Sequence, residues 1–220
     1  MPEPGLALIL DMDGVIVDSN PLHRQAWSTY NRRFGIETDD AMHARMYGRR
    51  NDEIVRDFFG SHLTAEEVFS HGAEKEKLYR EMLATCIDGA LVPGVREFLE
   101  RHRGCPTALA SNAEPANVRF LLTSAGLEPY FSVIVDGFQV HRPKPDPEIY
   151  LLAAERLGVS PRNCLVFEDS MTGIQAARAA GMRTVGVRTT QPDLTDVDLT
   201  VEHFLSAELE PWLRKQHPLP

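Results

Sequence analysis

Short, mostly apolar runs alternate with longer amphipathic stretches over much of the chain. Such runs are typical of strands buried on both faces of a sheet, and they lie at 6–10, 107–110, 133–135, 164–167 and 184–187. Between them, apolar residues recur every three or four positions, which predicts helices at 94–102, 115–125, 147–157 and 170–180. This alternation predicts right-handed crossovers, and therefore an α/β fold with a parallel sheet and helices on both faces.

The segment between the first and second predicted strands departs from this alternation. It runs from about Ser19 to Leu91, which is far too long for a single crossover. Its apolar residues recur at helical spacing, as at positions 22, 26, 30 and 34 and at 54, 55, 58 and 59. We therefore predict a core of residues 1–17 and 91–220, and an inserted helical domain of residues 18–90.

The composition is that of a globular protein and narrows the possible partners. The 220 residues are 43% hydrophobic and 25% charged. The formal net charge of -9 at pH 7 has the wrong sign for nucleic acid, so we expect no such partner. The three cysteines form no C-x-x-C pair, and the chain begins without a basic region and a long apolar stretch. We expect a cytoplasmic protein without a membrane segment.

Two acidic residues follow the first predicted strand directly, in the sequence Asp11-Met12-Asp13-Gly14. Side chains two apart on a strand share a face, so both carboxylates can point into one crevice at the carboxyl end of the sheet. Their repulsion favours a bound cation or a retained proton, and both serve catalysis. The alternative is a turn that one Asp caps and Gly14 bends. A calcium-binding loop is excluded, because its twelfth position, which requires Glu, is Leu22.

Polar residues also end the second and fourth predicted strands. Ser111-Asn112 precedes a predicted helix, so a hydroxyl and free backbone N–H groups can bind an anion there; the alternative is that Ser111 caps a turn. Glu168-Asp169 follows the fourth strand, where two adjacent acids favour a hard cation, Mg²⁺ above all. Helix capping accounts for part of that acidic pattern.

A lysine stands in a proline-rich segment after the third predicted strand. In the segment 142–147, the residues before each proline are held extended, and Asp146 is expected to cap a helix that starts at Pro147. Lys144 therefore lies on a stiff segment, where its ammonium group suits a phosphate oxygen or a carboxylate. The alternative is an ordinary solvated surface charge.

The ends of four successive predicted strands thus present carboxylates, a hydroxyl and an ammonium to one edge of the sheet. Open α/β sheets bind their ligands at that edge. A metal and a lysine can offset charge there, backbone donors can hold phosphoryl oxygens, and a carboxylate can attack phosphorus in line. The set predicts phosphoryl transfer.

These motifs, in this order and at these strand ends, resemble the haloacid dehalogenase superfamily, and specifically its phosphatases with a helical cap inserted after the first strand. The motifs are Asp11-Met-Asp13-Gly-Val, Ser111-Asn112, Lys144-Pro-Asp-Pro and Glu168-Asp169-Ser170. The resemblance spans essentially the whole chain. It implies a Rossmann-like core of three α/β/α layers, with residues 18–90 as the cap domain.

The resemblance also implies a role for each motif residue. Asp11 is the implied nucleophile, which forms an aspartyl-phosphate, and Asp13 protonates the leaving oxygen and later activates water. Ser111 binds the phosphoryl group, and Lys144 ties that group to the nucleophile. The implied cofactor is Mg²⁺, held by Asp11, the backbone carbonyl of Asp13, Glu168 and Asp169. An acid at Asp13 disfavours the dehalogenases, which lack one there.

The cap is implied to select the substrate, moving about hinges near 17–19 and 91–94. His23 and Trp27, one helical turn apart, match positions in β-phosphoglucomutases and related sugar-phosphate phosphatases. For Trp27, plain helix packing is the favoured interpretation. The expected substrate-binding residues are Gly14, His23, Arg49, Arg50, Asn51 and Asn112.

Two positions argue against a mutase. The mutase arginine of the cap loop falls at Asn51, and the mutase lysine after the serine motif falls near Glu114. A mutase must bind a second phosphate, and an acid in place of lysine weakens that site. If the match to the mutase loop is shifted by one residue, Arg50 takes the place of the mutase arginine, so the mutase stays open as an alternative. Arg49 and Arg50 are equally well explained as a solvated pair on a loop.

The sequence therefore predicts a Mg²⁺-dependent phosphatase that hydrolyses a small phosphomonoester, such as a sugar phosphate, and acts as a monomer. One alternative is a phosphosugar mutase of the β-phosphoglucomutase kind. Another is a receiver-like signalling domain, although in receivers the phosphorylated Asp follows the third strand and there is no long helical insert.

Overall fold

The structure, a computed structural model, describes residues 5–46 and 49–216. The chain divides into two compact units. One unit, which we call the core, is Met1–Asp18 together with Leu91–Pro220. The other, which we call the cap, is Ser19–Ala90.

The boundary between the two units falls one residue later than the sequence analysis placed it. Asp18, predicted to lie in the insert, belongs to the core. The preceding residue, Val17, forms a bridge with Leu91, and the Val92 N–H donates to the Ile16 carbonyl at 3.0 Å. These contacts join the two segments through which the chain leaves and re-enters the core, and both contacts lie within the core.

The core is built on a parallel sheet. Its strands are β1 (Ala7–Leu10), β2 (Thr107–Ala110), β3 (Val133–Val135), β4 (Cys164–Glu168), β5 (Arg183–Val187) and β6 (Leu199–Val201). Over the described residues they lie in the order β3-β2-β1-β4-β5-β6, and every neighbouring pair is parallel. The first five strands match the predicted runs to within one residue, and the predicted Rossmann-like α/β fold is confirmed. β6 was not predicted, because it is only three residues long and includes a threonine.

The cap is helical, as its periodicity predicts. Its helices are α1 (Asn20–Arg32), α2 (Asp40–Ala44), α3 (Asn51–Phe59), α4 (Ala65–Ala84) and α5 (Ile87–Ala90). α4 starts at a capping box, in which Thr64 and Glu67 satisfy each other's backbone N–H groups. Trp27 and Tyr30 lie in the apolar cluster of this unit. Phe34, which the spacing grouped with them, is half exposed because α1 ends at Arg32.

The helices of the core follow the strands as predicted. They are α6 (Val95–Arg101), α7 (Pro115–Ser124), α8 (Glu148–Leu157), α9 (Met171–Ala179) and α10 (Leu209–Gln216). The first four match the predicted stretches to within one residue at each end. Asp146 was expected to be the cap of α8, but Pro147 holds that position with a helical backbone, and Asp146 Oδ1 accepts the Glu148 N–H at 3.0 Å. None of the described helices combines the length and apolar character needed to cross a membrane.

The register of the sheet brings the candidate residues level with one another. Leu10 in β1 lies opposite Leu109 in β2 and Phe167 in β4. The next residue of β1 is Asp11, whose N–H donates to the Phe167 carbonyl at 3.1 Å. Glu168, the last residue of β4, therefore stands beside Asp11 at the carboxyl edge of the sheet.

Candidate active site

The ammonium group of Lys144 joins the ends of three neighbouring strands. Its Nζ donates to Asp11 Oδ1 at 2.8 Å after β1, and to Glu168 Oε1 at 2.7 Å in β4. It also donates to the Ala110 carbonyl at 3.1 Å, at the end of β2. An ammonium group has three N–H donors, so these three acceptors use them all. Lys144 is therefore a buried bridge and not a solvated surface charge.

Both oxygens of the Glu168 carboxylate accept several hydrogen bonds. Oε1 accepts from Lys144 and from the Tyr150 hydroxyl, each at 2.7 Å. Oε2 accepts the N–H groups of Asp169 and Ser170 at 3.0 and 3.1 Å and the Ser170 hydroxyl at 2.9 Å. Burial opposes its ionisation, but the Lys144 charge and these donors hold the Glu168 pKa below its ordinary value. These five donors already exceed the roughly four lone-pair sites of a carboxylate, so a direct bond to a metal requires at least two of them to leave.

Three carboxylates at this edge form a cluster suited to a metal ion. Asp11, Glu168 and Asp169 are buried, and each offers an oxygen within 4.8 Å of the others. Burial raises the pKa of Asp11 to about 7, against the opposing charge of Lys144. Burial and the charges of Glu168 and Asp11 raise the pKa of Asp169 well above its usual range. A hard divalent cation with oxygen ligands would relieve this repulsion, so the donor set fits such an ion.

A tight turn after β1 carries Asp13 and Gly14. The Gly14 N–H donates to the Val17 carbonyl at 2.7 Å, and the φ of Gly14 is 78°. A Cβ at this position would lie 1.8 Å from Asp169 Oδ2. Glycine is therefore required both for the bend and for the approach of the Asp169 carboxylate. The charge of Asp13 is close enough to raise the pKa of Asp11, in addition to the larger effect of burial.

Two threonines after β5 were missed by the sequence analysis. The Thr190 hydroxyl donates to Asp169 Oδ2, and the Thr189 hydroxyl donates to the Gly14 carbonyl. They follow β5 as the other candidate residues follow their strands, and only Arg188 intervenes. The rule that polar residues at strand ends face the site would have found them.

Two of the backbone N–H groups after β2, those of Ser111 and Ala113, have partners and are therefore not free for an anion, although the sequence analysis expected them to be. The Ser111 N–H donates to the Val135 carbonyl at 3.0 Å, because the pairing of β2 with β3 continues past Ala110. The Ala113 N–H donates to Ser111 Oγ at 3.1 Å, which is the turn-capping contact considered as the alternative. Asn112 Oδ1 accepts the Lys144 N–H at 3.3 Å. The Ser111 hydroxyl proton is still available to an anion, since the oxygen acts here as an acceptor.

Gly173 in α9 leaves the space that the Glu168 carboxylate occupies. A Cβ at Gly173 would lie 1.7 Å from Glu168 Oε1 and 2.4 Å from Oε2. We expect Gly173→Ala to displace this carboxylate, to lower the free energy of unfolding by about 1–3 kcal/mol, and to lower turnover. Urea unfolding and initial rates measure both effects. Gly89→Ala is the matched control, because a methyl group added to that helical glycine would meet no atom within 4 Å; a stable, fully active Gly173→Ala protein would refute the prediction.

Two candidate residues of the cap lie on α1 and have different surroundings. Trp27 is buried and meets the Phe58 ring edge-on, with ring centroids 5.2 Å apart, which agrees with its interpretation as helix packing. The His23 ring stacks on Tyr79 at 3.9 Å. Its Nδ1 lies 3.3 Å from the Nζ of Lys75, a buried lysine of α4 that the sequence analysis did not single out.

The loop candidates of the cap lie at the start of α3. Arg49 forms exposed ion pairs with Glu53 and Asp57, as a solvated charge does. Arg50 is the N-cap residue of α3. The Asn51 amide donates to Glu76 Oε1 at 2.6 Å. The side chain at the position of the mutase arginine is thus bound to an acidic group of the cap.

The chain is similar to known proteins over most of its length. The fructose-1-phosphate phosphatase YqaB of Escherichia coli K12 is 36% identical over 188 residues, which cover 86% of this chain and 99% of that protein. The β-phosphoglucomutase of Bacillus subtilis 168 is 32% identical over 214 residues, covering 93% and 92%. The crystal structure of β-phosphoglucomutase from Clostridium difficile superimposes with a TM-score of 0.84 at 27% identity, covering 96% of each chain.

A family model described as haloacid dehalogenase-like hydrolase matches residues 6–181. The matched range contains the strand ends that carry Asp11, Ser111, Lys144 and Glu168. The family resemblance inferred from the motifs is confirmed, and the receiver-like signalling domain is set aside. The chain belongs to the haloacid dehalogenase-like hydrolases.

Proposed function

We propose that this protein is a Mg²⁺-dependent phosphatase that hydrolyses a small sugar phosphate through a covalent aspartyl-phosphate on Asp11. The observation that carries the proposal is the buried bridge from Lys144 to Asp11 and Glu168, directly beside Asp169. The sugar-phosphate class is supported by the names of the two relatives described above, a fructose-1-phosphate phosphatase and a β-phosphoglucomutase.

In the first half of the proposed reaction, a carboxylate oxygen of Asp11 attacks phosphorus. A bond forms between that oxygen and phosphorus, and the bond between phosphorus and the sugar oxygen breaks. Asp13 donates its proton to the departing sugar oxygen, so that the sugar leaves as a neutral alcohol. Lys144 and Ser111 bind the phosphoryl oxygens and offset their charge.

In the second half, water attacks the phosphorus of the aspartyl-phosphate. Asp13, now a carboxylate, takes a proton from this water as the new bond forms. The bond between phosphorus and the Asp11 oxygen breaks, which releases inorganic phosphate and restores the Asp11 carboxylate. Asp13 therefore acts as the general acid in the first half and as the general base in the second.

Mg²⁺, when bound, supplies positive charge that offsets the phosphoryl oxygens during both transfers. The residues proposed to hold it are Asp11, the backbone carbonyl of Asp13, Asp169 and Glu168, the last after at least two of its present donors leave. This assignment is supported by the raised pKa values of Asp11 and Asp169, which report buried carboxylates without sufficient positive charge nearby.

Substrate contacts are proposed for both units, and the neutral side chain of Asn51 among them favours a phosphatase over a mutase. In the core they are Gly14 and Asn112, and in the cap they are His23, Arg49, Arg50 and Asn51. A mutase needs a cation for a second phosphate, whereas Asn51 is neutral and donates to Glu76.

We also propose that the protein acts as a monomer in the cytoplasm. Sedimentation of the purified chain tests the oligomeric state.

The proposed function is tested by phosphate release from a panel of sugar phosphates. The panel is assayed with Mg²⁺, after chelation, and after Mg²⁺ is restored. It includes β-glucose 1-phosphate with its bisphosphate activator, with glucose 6-phosphate as a second readout. We expect phosphate release that stops on chelation and returns with Mg²⁺. Isomerised sugar phosphate with little phosphate release would instead make the protein a mutase, and release that survives chelation would refute the metal assignment.

A further inference from the structure

We propose that Tyr150 is a positioning residue, which fixes Lys144 against the nucleophile by holding Glu168; this inference rests on the proposed function. Tyr150 lies in α8 and is fully buried. Its hydroxyl donates to Glu168 Oε1 at 2.7 Å, the same oxygen that accepts from Lys144 Nζ at 2.7 Å. Tyr150 thus reaches the reacting carboxylate of Asp11 only through two other side chains.

The position of the Lys144 ammonium depends on its three acceptors. The Ala110 carbonyl is fixed by the sheet, where Ala110 pairs with Val135, and Asp11 must be free to react. Glu168 is therefore the acceptor that has to hold the ammonium while Asp11 forms and breaks its bond to phosphorus. If Glu168 Oε1 moves, Lys144 moves with it, because a buried ammonium follows its charged partner.

The hydroxyl of Tyr150 restrains Oε1, the Glu168 oxygen that has the fewer hydrogen-bond donors. Oε2 is held by three donors, two of them backbone N–H groups next to it in sequence. With Oε2 held, rotation of the carboxylate swings Oε1, and the protein donors to Oε1 are Lys144 and Tyr150. Tyr150 is the one of these two that carries no charge and takes no part in the chemistry, so it can act as a fixed support.

The ring of Tyr150 has a separate effect. Lys144 Nζ lies 4.7 Å from the centre of this ring, within the range of a cation–π contact. The ring closes that side of the ammonium to water. Tyr150→Phe keeps this contact and the packing of α8 but removes the hydroxyl, so it separates the support of Glu168 from the packing.

The protein contains a matched control for this substitution. Tyr130 in the core also donates its hydroxyl to a glutamate, Glu100 Oε2, at 2.7 Å. That pair is exposed and belongs to a 3₁₀ turn before β3, not to the carboxyl edge of the sheet. Tyr130→Phe therefore removes the same kind of hydrogen bond without touching Lys144.

The kinetic test compares Tyr150→Phe, Tyr130→Phe and the unsubstituted protein on the best substrate of the panel. We expect Tyr150→Phe to lower kcat by about 10- to 100-fold, the range found for residues that orient reacting groups. KM is expected to stay within about twofold, because the loss is confined to the transfer step. Tyr130→Phe is expected to behave as the unsubstituted protein. A kcat unchanged in Tyr150→Phe, or lowered equally in both variants, would overturn the proposal.

A spectroscopic test does not require turnover. The chain has four lysines, so selective ¹⁵N labelling gives few ammonium signals, and Lys144 is assigned by its loss in Lys144→Arg. We expect the Lys144 signal to shift or broaden in Tyr150→Phe and to remain in Tyr130→Phe. An unaltered Lys144 signal in Tyr150→Phe would also overturn the proposal. If the unsubstituted protein releases no phosphate, the proposed function fails, and this signal still decides whether Tyr150 positions Lys144.

Discussion

Asp11→Asn is expected to abolish turnover, with kcat falling by about 10⁴-fold or more, as when other enzymes lose their nucleophile. The amide of Asn is a far weaker nucleophile than a carboxylate, and it cannot accept the phosphoryl group and release it to water. The substitution is nearly isosteric. In the variant Glu168 and the Ala110 carbonyl still accept from Lys144, so the ammonium keeps a charged partner, and we expect the variant to fold.

Two measurements check this prediction. Initial rates give kcat, and mass spectrometry of acid-quenched reactions detects the phosphoryl group on the peptide that contains Asp11. We expect that added mass in the unsubstituted protein and not in the variant. Asp193→Asn is the control, because Asp193 is an exposed aspartate of the same unit. Near-normal turnover of Asp11→Asn would show that the covalent mechanism is wrong.

The core and much of its site could be predicted from the sequence, because both depend on the order of apolar and polar residues along short segments of the chain. In a parallel sheet, a buried strand is apolar throughout, so the first polar residues after it mark the carboxyl edge. Asp11 and Glu168 were found in this way, and the structure joins both of them to Lys144, at 2.8 and 2.7 Å. Thr190 obeys the same rule but was missed, since two residues separate it from the end of β5 and a threonine there is also typical of a loop.

The pattern of apolar and polar residues did not predict contacts between side chains that lie far apart in the sequence. Tyr150 has the spacing of an ordinary core residue of α8, and its hydroxyl partner, Glu168, is 18 residues away. In the cap, Lys75 meets the His23 ring across 52 residues. Helical periodicity indicates which face of a helix is buried, but not which polar atom on that face finds a partner. Such pairs depend on how helices and strands pack, which spacing alone does not encode.

The free energy that holds Lys144 in place is largely electrostatic. Burial opposes the charge of Lys144, but Asp11 and Glu168 raise its pKa above the ordinary value. Burial likewise opposes the charge of Glu168, and the ammonium of Lys144 lowers its pKa in return. Removal of one member of a buried charged set leaves the others without compensation, which costs about 3–5 kcal/mol. The bridge is therefore a structural element as well as a reactive one, and its two effects have to be measured separately.

Lys144→Ala is expected to lower kcat by at least about 100-fold, the effect of losing one donor to a developing charge, and to destabilise the core by about 3–5 kcal/mol. Lys144→Arg separates the two effects, since it keeps the charge but is too long and planar for this three-acceptor site. We expect it to remain folded and to lose most of its activity. Initial rates and urea unfolding measure both variants, with Lys215→Ala, an exposed lysine of the same unit, as control. Full activity in Lys144→Arg would show that a positive charge suffices and that the geometry of the bridge plays no part.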